Sequence, residues 1–517
     1  MKRRDFIQNS LSGVVMPALL NGLAFKAFGS VTEETAGDEN VLVIVQLNGG
    51  NDGLNTVIPI DKYALYKNAR TNIAIPQERL LKILDNETLG LNPAMTGLQK
   101  LFNEGKAALI QSVGYPNPNF SHFRATDIWN SASDSNVMIN SGWAGRYLSF
   151  NHPNFPTGYP NSQTPDPLAI QIGSVVSTAL QGPVQSMGMA ITNPTSFYNL
   201  VTGKSDVVPN TLAGKELRFL RTVADSTNKY ATTIKTAADK IKTQGTYPTN
   251  NSLADQLKIV ARLIGGGLKT KVYMVSIGGF DTHSNQVNTD FVTGTHATLL
   301  GRVSDAIKAF MDDLKGLGVS KNVIGFTYSE FGRRIKSNAS MGTDHGSSAP
   351  MFLFGDMVQP LILGKTPDIP SNPSVNDNIP MQYDFRSVYA SILENWFCMD
   401  SANLKTVLGN NFQQLPLIQG AACGKITSTE EPTERDLITN YPNPFDTYTN
   451  ISFESNGGHT MIQLFDNMGR IIGTPVDNDF AAGRHDVYLD TSGLPSGLYY
   501  ARLQNREVQQ VRKMMKR

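Results

Sequence analysis

Three short apolar runs constrain this chain most: VLVIVQL (41–47), KVYMVSI (271–277) and NVIGFTY (322–328). Each is rich in β-branched residues and continuous rather than alternating, as expected of parallel strands covered on both faces. Between the last two, Leu299, Val303, Ile307, Met311 and Leu314 recur at near-helical spacing, which predicts a β-α-β unit. SLADQLKIVARLI reads as a helix with Ser252 as its N-cap, and residues 211–244 as one or two more. The expected fold class is therefore α/β, with a mostly parallel, doubly wound sheet flanked by helices.

The segments after the runs carry the chemistry. The first is followed by NGGNDGLN with Asp52, the second by GGFDTHSN with Asp281 and His283, and the third by SEFGRR with Glu330. Open α/β sheets bind ligands at the carboxyl ends of their strands, so three strands deliver carboxylates to one edge. His345, in GTDHG, lies on a loop shortly after Glu330. The glycine pairs Gly49-Gly50 and Gly278-Gly279 allow backbone to come close to such a site. A fourth run, KAALIQSV (106–113), leads through proline-rich turns to SHFRATDIW, a helix opening at Ser121. Ser121 reads either as an N-cap or as a nucleophile or metal ligand at the positive end of a helix. His122 is a base, an oxyanion donor or a surface residue. Arg333-Arg334 reads as an anion clamp or as surface charge, and His296 as an exposed or capping residue at a helix start. Trp396 and Phe397, at helical spacing, read as core.

The chain has 517 residues, enough for more than one domain. Its 45 basic and 44 acidic residues nearly cancel, so the balance implies no nucleic-acid or anionic-membrane partner. Cys398 and Cys423 are too few for a disulfide scaffold or a zinc ribbon; they pair after export or remain two buried thiols. The first thirty residues have a basic start and a short, interrupted apolar stretch, which fits a cleaved signal rather than a transmembrane anchor. After Cys423 the polar segment 424–436 reads as a linker. NISFES, TMIQLFDNMGRII, RHDVYLD and GLYYARLQ then predict a small antiparallel β-sandwich over 437–517.

Particular words in the sequence add resemblances. Arg3-Arg4 with Asp5-Phe6-Ile7 resembles a twin-arginine export signal. NYPNPF, LFDNMGR, AGRHDVYLD, LPSGLYYARL and the ending KMMKR resemble the C-terminal sorting domain of the type IX secretion system. Together these imply the twin-arginine translocase and the type IX machinery as partners. They also imply a route through the periplasm to the outside or outer surface of a Gram-negative bacterium. LNGGNDGLNTVIP, NPNFSHFRATDIW, GGFDTHSNQ, YSEFGRRI with GTDHGSSAPMFLFG, and DFRSVYASILENWF resemble a bacterial sulfatase-like family of unknown function (domain of unknown function 1501) over about 41–420. That family is similar to the alkaline phosphatase/sulfatase superfamily.

The superfamily resemblance implies an alkaline-phosphatase-like core and a divalent metal (Zn, Mn or Ca). Carried over, Asp52, Ser121 and Glu330 form one site, with Ser121 attacking; Asp281, His283 and His345 form the other. Two departures stand out. The superfamily's DHG reads Glu330-Phe331-Gly332 here, so an imidazole is missing and one ion site is weakened or oxygen-rich. The sulfatase CxPSR pattern is absent, which argues against formylglycine chemistry. A Ser-His-carboxylate esterase built on Ser121 lacks the G-x-S-x-G elbow. The resemblance thus implies a secreted hydrolase acting on a phosphate or sulfate ester, with an anionic ester or surface glycan as substrate. The alternative is a non-catalytic surface protein on the same fold.

Overall fold

The computed structural model describes residues 39–83, 86–194, 230–419, 423, 438–441, 443, 445–466, 470–505 and 509–517. The export signal, the linker and most of 211–244 lie outside the described residues; within the last, residues 230–240 are helical. The chain divides into two compact units, Met1–Ile426 and Thr427–Arg517.

The strands of the first unit are β1 (Val41–Leu47), β2 (Val57–Pro59), β3 (Leu81–Ile83), β4 (Asn86–Leu91), β5 (Ala107–Gly114), β6 (Ala169–Ile172), β7 (Gly188–Ile191), β8 (Val272–Ile277), β9 (Val323–Tyr328), β10 (Ala349–Gly355), β11 (Ile362–Leu363) and β12 (Tyr383–Asp384). The large sheet runs β11-β5-β10-β9-β1-β8-β6-β7, with β12 also on β5, while β2, β4 and β3 make a small separate sheet. All pairings in the large sheet are parallel except those of β10, which is antiparallel to both β5 and β9. The expected mostly parallel α/β sheet is thus present, centred on β1.

The continuous apolar character of β1 follows from burial on both faces. Val41, Val43, Val45 and Leu47 enter one hydrophobic core, and Leu42 and Ile44 enter another. The first core is closed by the helices Thr96–Asn103, Ser252–Gly265 and Thr295–Gly316. The second is closed by His122–Ser131, Trp143–Asn151 and Phe385–Asn395, with Trp396 fully buried. The sheet is therefore wound on both sides, as the run pattern predicts.

One local expectation is corrected and one open alternative is settled. The helix at 252–265 is capped by Asn251, whose side chain accepts from the amide of Ala254, rather than by Ser252. Asn at this position satisfies an orphan amide as well as Ser does, and the chain starts the helix one residue earlier. Cys398 and Cys423, left open between paired and free, form a disulfide with their Cα atoms 5.4 Å apart. Closing 25 residues of chain stabilises the fold by about 3.5 kcal/mol on loop-entropy grounds.

The strands of the second unit pair antiparallel with one another: β13 (Ile438–Tyr441), β14 (Tyr448–Asp466), β15 (Ile471–Asp490), β16 (Gly497–Gln504) and β17 (Gln509–Lys516). The long strand β14 meets β13 with its first residues and β16 with its last, and Gly457-Gly458 at positive φ lie between. Ile438, Phe453, Ile462, Leu464, Leu503 and Met514 fill its own small core.

Candidate metal centre

Register puts the functional loops at one edge. Leu47 pairs with Ile277 and Gln46 with Tyr328, so β1, β8 and β9 end together. Ala349, the first residue of the reversed β10, pairs with Val113 near the end of β5, which brings the segment before it to the same edge. Thus Asp281, His283, Glu330 and His345 arrive from three strand ends, and His122 opens the helix after β5. The close approach needs glycine. A Cβ on Gly49 (φ +122°) would stand 2.3 Å from the Asp281 nitrogen, and one on Gly50 (φ +78°) 2.3 Å from the Phe331 ring.

Three imidazoles surround one carboxylate. Asp281 Oδ1 lies 3.1 Å from His283 Nε2 and 3.2 Å from His345 Nε2, while Asp281 Oδ2 lies 3.6 Å from His122 Nε2. His283 Nε2 and His345 Nε2 are 2.9 Å apart. The other nitrogen of each ring is anchored: His122 Nδ1 to Glu330 Oε1 at 2.8 Å, His283 Nδ1 to Asp344 Oδ1 at 3.1 Å, and His345 Nδ1 to the Phe120 carbonyl at 2.8 Å. All three partners are acceptors, so in the neutral form that binds metal each Nδ1 carries the proton and each Nε2 offers a lone pair; with no ion between them, a protonated His345 Nε2 instead donates to Asp281 Oδ1 at 3.2 Å. His122, Asp281 and His345 also offer ligand atoms within 4.8 Å of one another.

Charge around the cluster is set by the buried Arg333. Arg333 donates to the carbonyls of Gly50, Thr343, Gly49 and Phe280 and, at 2.8 Å, to Asp281 Oδ1. Burial works against the Asp281 carboxylate. The bonds from Arg333 and His345 and the Arg333 charge outweigh it and bring its pKa to about 2. Burial pushes the His345 imidazole below its ordinary value, with Arg333 and His122 acting the same way against its bonds to Phe120 and Asp281. The neutral ligand form of His345 is therefore favoured. Arg333 is a fully buried tie among loops rather than a clamp or surface charge, because its planar fork suits several carbonyls at once.

The remaining residues singled out from sequence stand as follows. Glu330 is buried and accepts from the Gly49 amide as well as bonding His122. Ser121 is the N-cap residue of its helix, but its exposed hydroxyl makes no capping bond. Asp52 does not face the histidines. It is fully buried and receives Arg70 Nη1 at 2.6 Å and Gln286 Nε2 at 2.6 Å. Burial raises its pKa, but the Arg70 charge and bond prevail and hold it below the usual carboxylate range. Phe331 is buried with its ring centroid 4.5 Å from that of His345 and 4.9 Å from that of His122, so position 331 does face the cluster, without a ligand atom. Asp344, Gln286 and the Phe120 carbonyl escaped the sequence reading. Only Asp344, beside His345 in TDHG, left a signal there.

His296 is buried rather than exposed, because the helix start tucks beneath the β1 loop and its Nε2 bonds Asn51 Oδ1 at 2.9 Å. Burial, the first cause, lowers its pKa from 6.5 to about 4 against the pull of Asp52. A base whose folded pKa is depressed leaves the unfolded state holding more protons between those values. Stability therefore falls as pH drops from about 6.5 to about 4, by about 3 kcal/mol. Urea titrations followed by tryptophan fluorescence report the first unit alone, since all three tryptophans lie there. His296→Gln should flatten this acid slope; an unchanged slope would assign it to other groups.

Beside the cluster an open cleft of about 530 Å³ is lined by Asn48, His122, Phe123, Thr126, Gly278 and Asp281, among others. Among the described residues, no helix is long and apolar enough to cross a membrane. Residues 215–411 match the family model described as protein of unknown function (DUF1501), and residues 439–517 match that of the secretion system C-terminal sorting domain. No curated protein matches in sequence. Solved structures with a distant likeness include a protein of the alkaline phosphatase superfamily from Vibrio parahaemolyticus (10% identity, 92% of this chain and 82% of that one, TM-score 0.32). Two others are the PsFucS1 sulfatase from Pseudoalteromonas sp. (11%, 87% and 84%, 0.31) and the lipoteichoic acid synthase LtaP from Listeria monocytogenes (9%, 73% and 77%, 0.31). In sequence, then, the chain joins a segment that matches the family model described as protein of unknown function (DUF1501) to one that matches the secretion sorting domain model.

Proposed function

We propose that this is a secreted metal-dependent hydrolase of phosphate or sulfate esters, working at the Asp281–His283–His345 cluster with His122 beside it. One observation carries the reading. Two acceptor nitrogens and a carboxylate oxygen stand within 3.2 Å of one another, each ring anchored through its far nitrogen. Such lone pairs repel unless a proton or a metal ion stands among them, and Nδ1 anchoring is how proteins orient metal-binding histidines. Nitrogen-rich donors with one carboxylate suit Zn²⁺ or Mn²⁺ better than Ca²⁺.

When bound, the ion supplies Lewis-acid polarisation of an ester oxygen and a water of lowered pKa. The chain's own residues do the rest. Glu330, Asp344 and the Phe120 carbonyl hold the three rings, Arg333 keeps Asp281 ionised, and the Phe123-walled cleft seats the alcohol part of the ester. Export follows from the sorting domain by way of the type IX machinery, with the twin-arginine translocase supplying the periplasmic step.

Metal analysis of the purified chain with turnover of aryl phosphates and sulfates tests this. Bound metal without turnover would favour the non-catalytic surface protein, and neither would reject the proposal. Because Ser121 is not among the residues lining the cleft, we expect water rather than serine to attack. Ser121→Ala should then keep kcat within about tenfold, whereas loss on the order of 10⁴ would restore serine as nucleophile.

A further inference from the structure

Behind the histidines lies a buried polar chain that touches no cleft-lining residue's ligand atom and yet joins both ligand-bearing loops. Gln286 is fully buried. Its Oε1 accepts from the hydroxyl of Thr282 at 2.9 Å and from that of Thr343 at 3.0 Å, and its Nε2 donates to Asp52 Oδ2 at 2.6 Å. Thr282 sits between Asp281 and His283, and Thr343 two residues before His345. The two loops also meet directly through the Thr343 amide on the Thr282 carbonyl at 3.2 Å. Asp52 is fixed in turn by Arg70, whose other nitrogens donate to the carbonyls of Ile335 at 2.9 Å and Arg334 at 2.7 Å.

The amide of Gln286 suits this place better than any other side chain. It needs one acceptor shared by two hydroxyl donors and one donor aimed at a carboxylate, which a carboxylate or an ammonium cannot both supply. We infer that Gln286, oriented by Asp52, is a positioning residue that sets the separation of His283 and His345 and hence the affinity of the centre for its ion. Asp52 thus serves the site from behind rather than as a ligand. The inference rests on the metal-centre reading for its affinity readout only.

The test uses the full chain carrying Gln286→Met, Thr282→Val or Thr343→Val, and the pair Asp52→Asn with Gln286→Glu, which reverses the donor and acceptor while keeping the bond. Two quantities are read at a temperature where all variants are folded: Zn²⁺ affinity, and the tautomer of each histidine ring from its ¹⁵N resonances. A network that only stabilises the fold would lower the melting temperature and move neither. We expect roughly tenfold weaker Zn²⁺ binding for each threonine variant and about 100-fold for Gln286→Met, with recovery in the reversed pair. We also expect mixed tautomers at His283 and His345 in the weakened variants. Wild-type affinity and unmixed tautomers in all of them would overturn the inference. If wild type binds no Zn²⁺, the metal-centre reading falls, and the ring spectra alone decide whether Gln286 positions the histidines.

Discussion

Replacing His345 by alanine should abolish tight divalent-ion binding and, with it, ester turnover. The imidazole removed stands 2.9 Å from His283 Nε2 and 3.2 Å from Asp281 Oδ1. Even groups that merely orient a ligand are worth about 10–100-fold in metal affinity, so loss of a ligand should cost at least 100-fold. Calorimetric titration of Zn²⁺, Mn²⁺ and Ca²⁺ into wild type should show one tight site, with Ca²⁺ weakest, and the variant should show none. The deletion leaves the Phe120 carbonyl without its donor, a small loss at a half-buried position, so folding should survive. Phe331→His is the complementary variant. It sets an imidazole between His122 and His345, where the ring centroids are 4.9 and 4.5 Å from Phe331, and should raise the stoichiometry from one towards two. No binding heat in wild type with any of the three ions would sink the metal centre, and tight binding retained by His345→Ala would remove His345 from it.

Arg333→Met should cost the first unit about 4 kcal/mol or more, a large part of the 5–15 kcal/mol that holds a typical domain together. The side chain is fully buried and is bonded to four backbone carbonyls, two of them in the Gly49-Gly50 loop. Methionine fills a similar volume but strands those acceptors, and each buried group left unpaired costs about 1–3 kcal/mol. The Asp281 arm is half exposed and adds little to stability, although its loss should raise the Asp281 pKa from about 2. Arg333→Lys should rescue poorly, because a single ammonium cannot span carbonyls on three loops. Urea denaturation followed by tryptophan fluorescence measures the effect. A loss below about 1 kcal/mol would mean that the loops close without the arginine.

Local composition by itself determined the strands and the edge. The runs at 41–47, 271–277 and 322–328 could be read because a strand buried on both faces has no polar alternation to disguise it. The carboxylates after them could be placed because strand direction dictates where a loop emerges. The shorter strands β6 and β7 and the reversed β10 left no comparable pattern, being four residues long or interrupted by Pro350. Tertiary structure alone decided the roles. Asp52 and Asp281 follow strands in similar glycine-rich text, yet Asp52 is turned into a buried pair with Arg70 while Asp281 stands half exposed amid three imidazoles. Arg333 and Arg334 are neighbours in sequence, but only Arg333 is buried within the loops. What separates such residues is the partner each meets from 18 to more than 200 positions away. Spacing along the chain encodes periodicity and direction, whereas the ionic partner of a side chain is set by packing between elements that no local pattern connects.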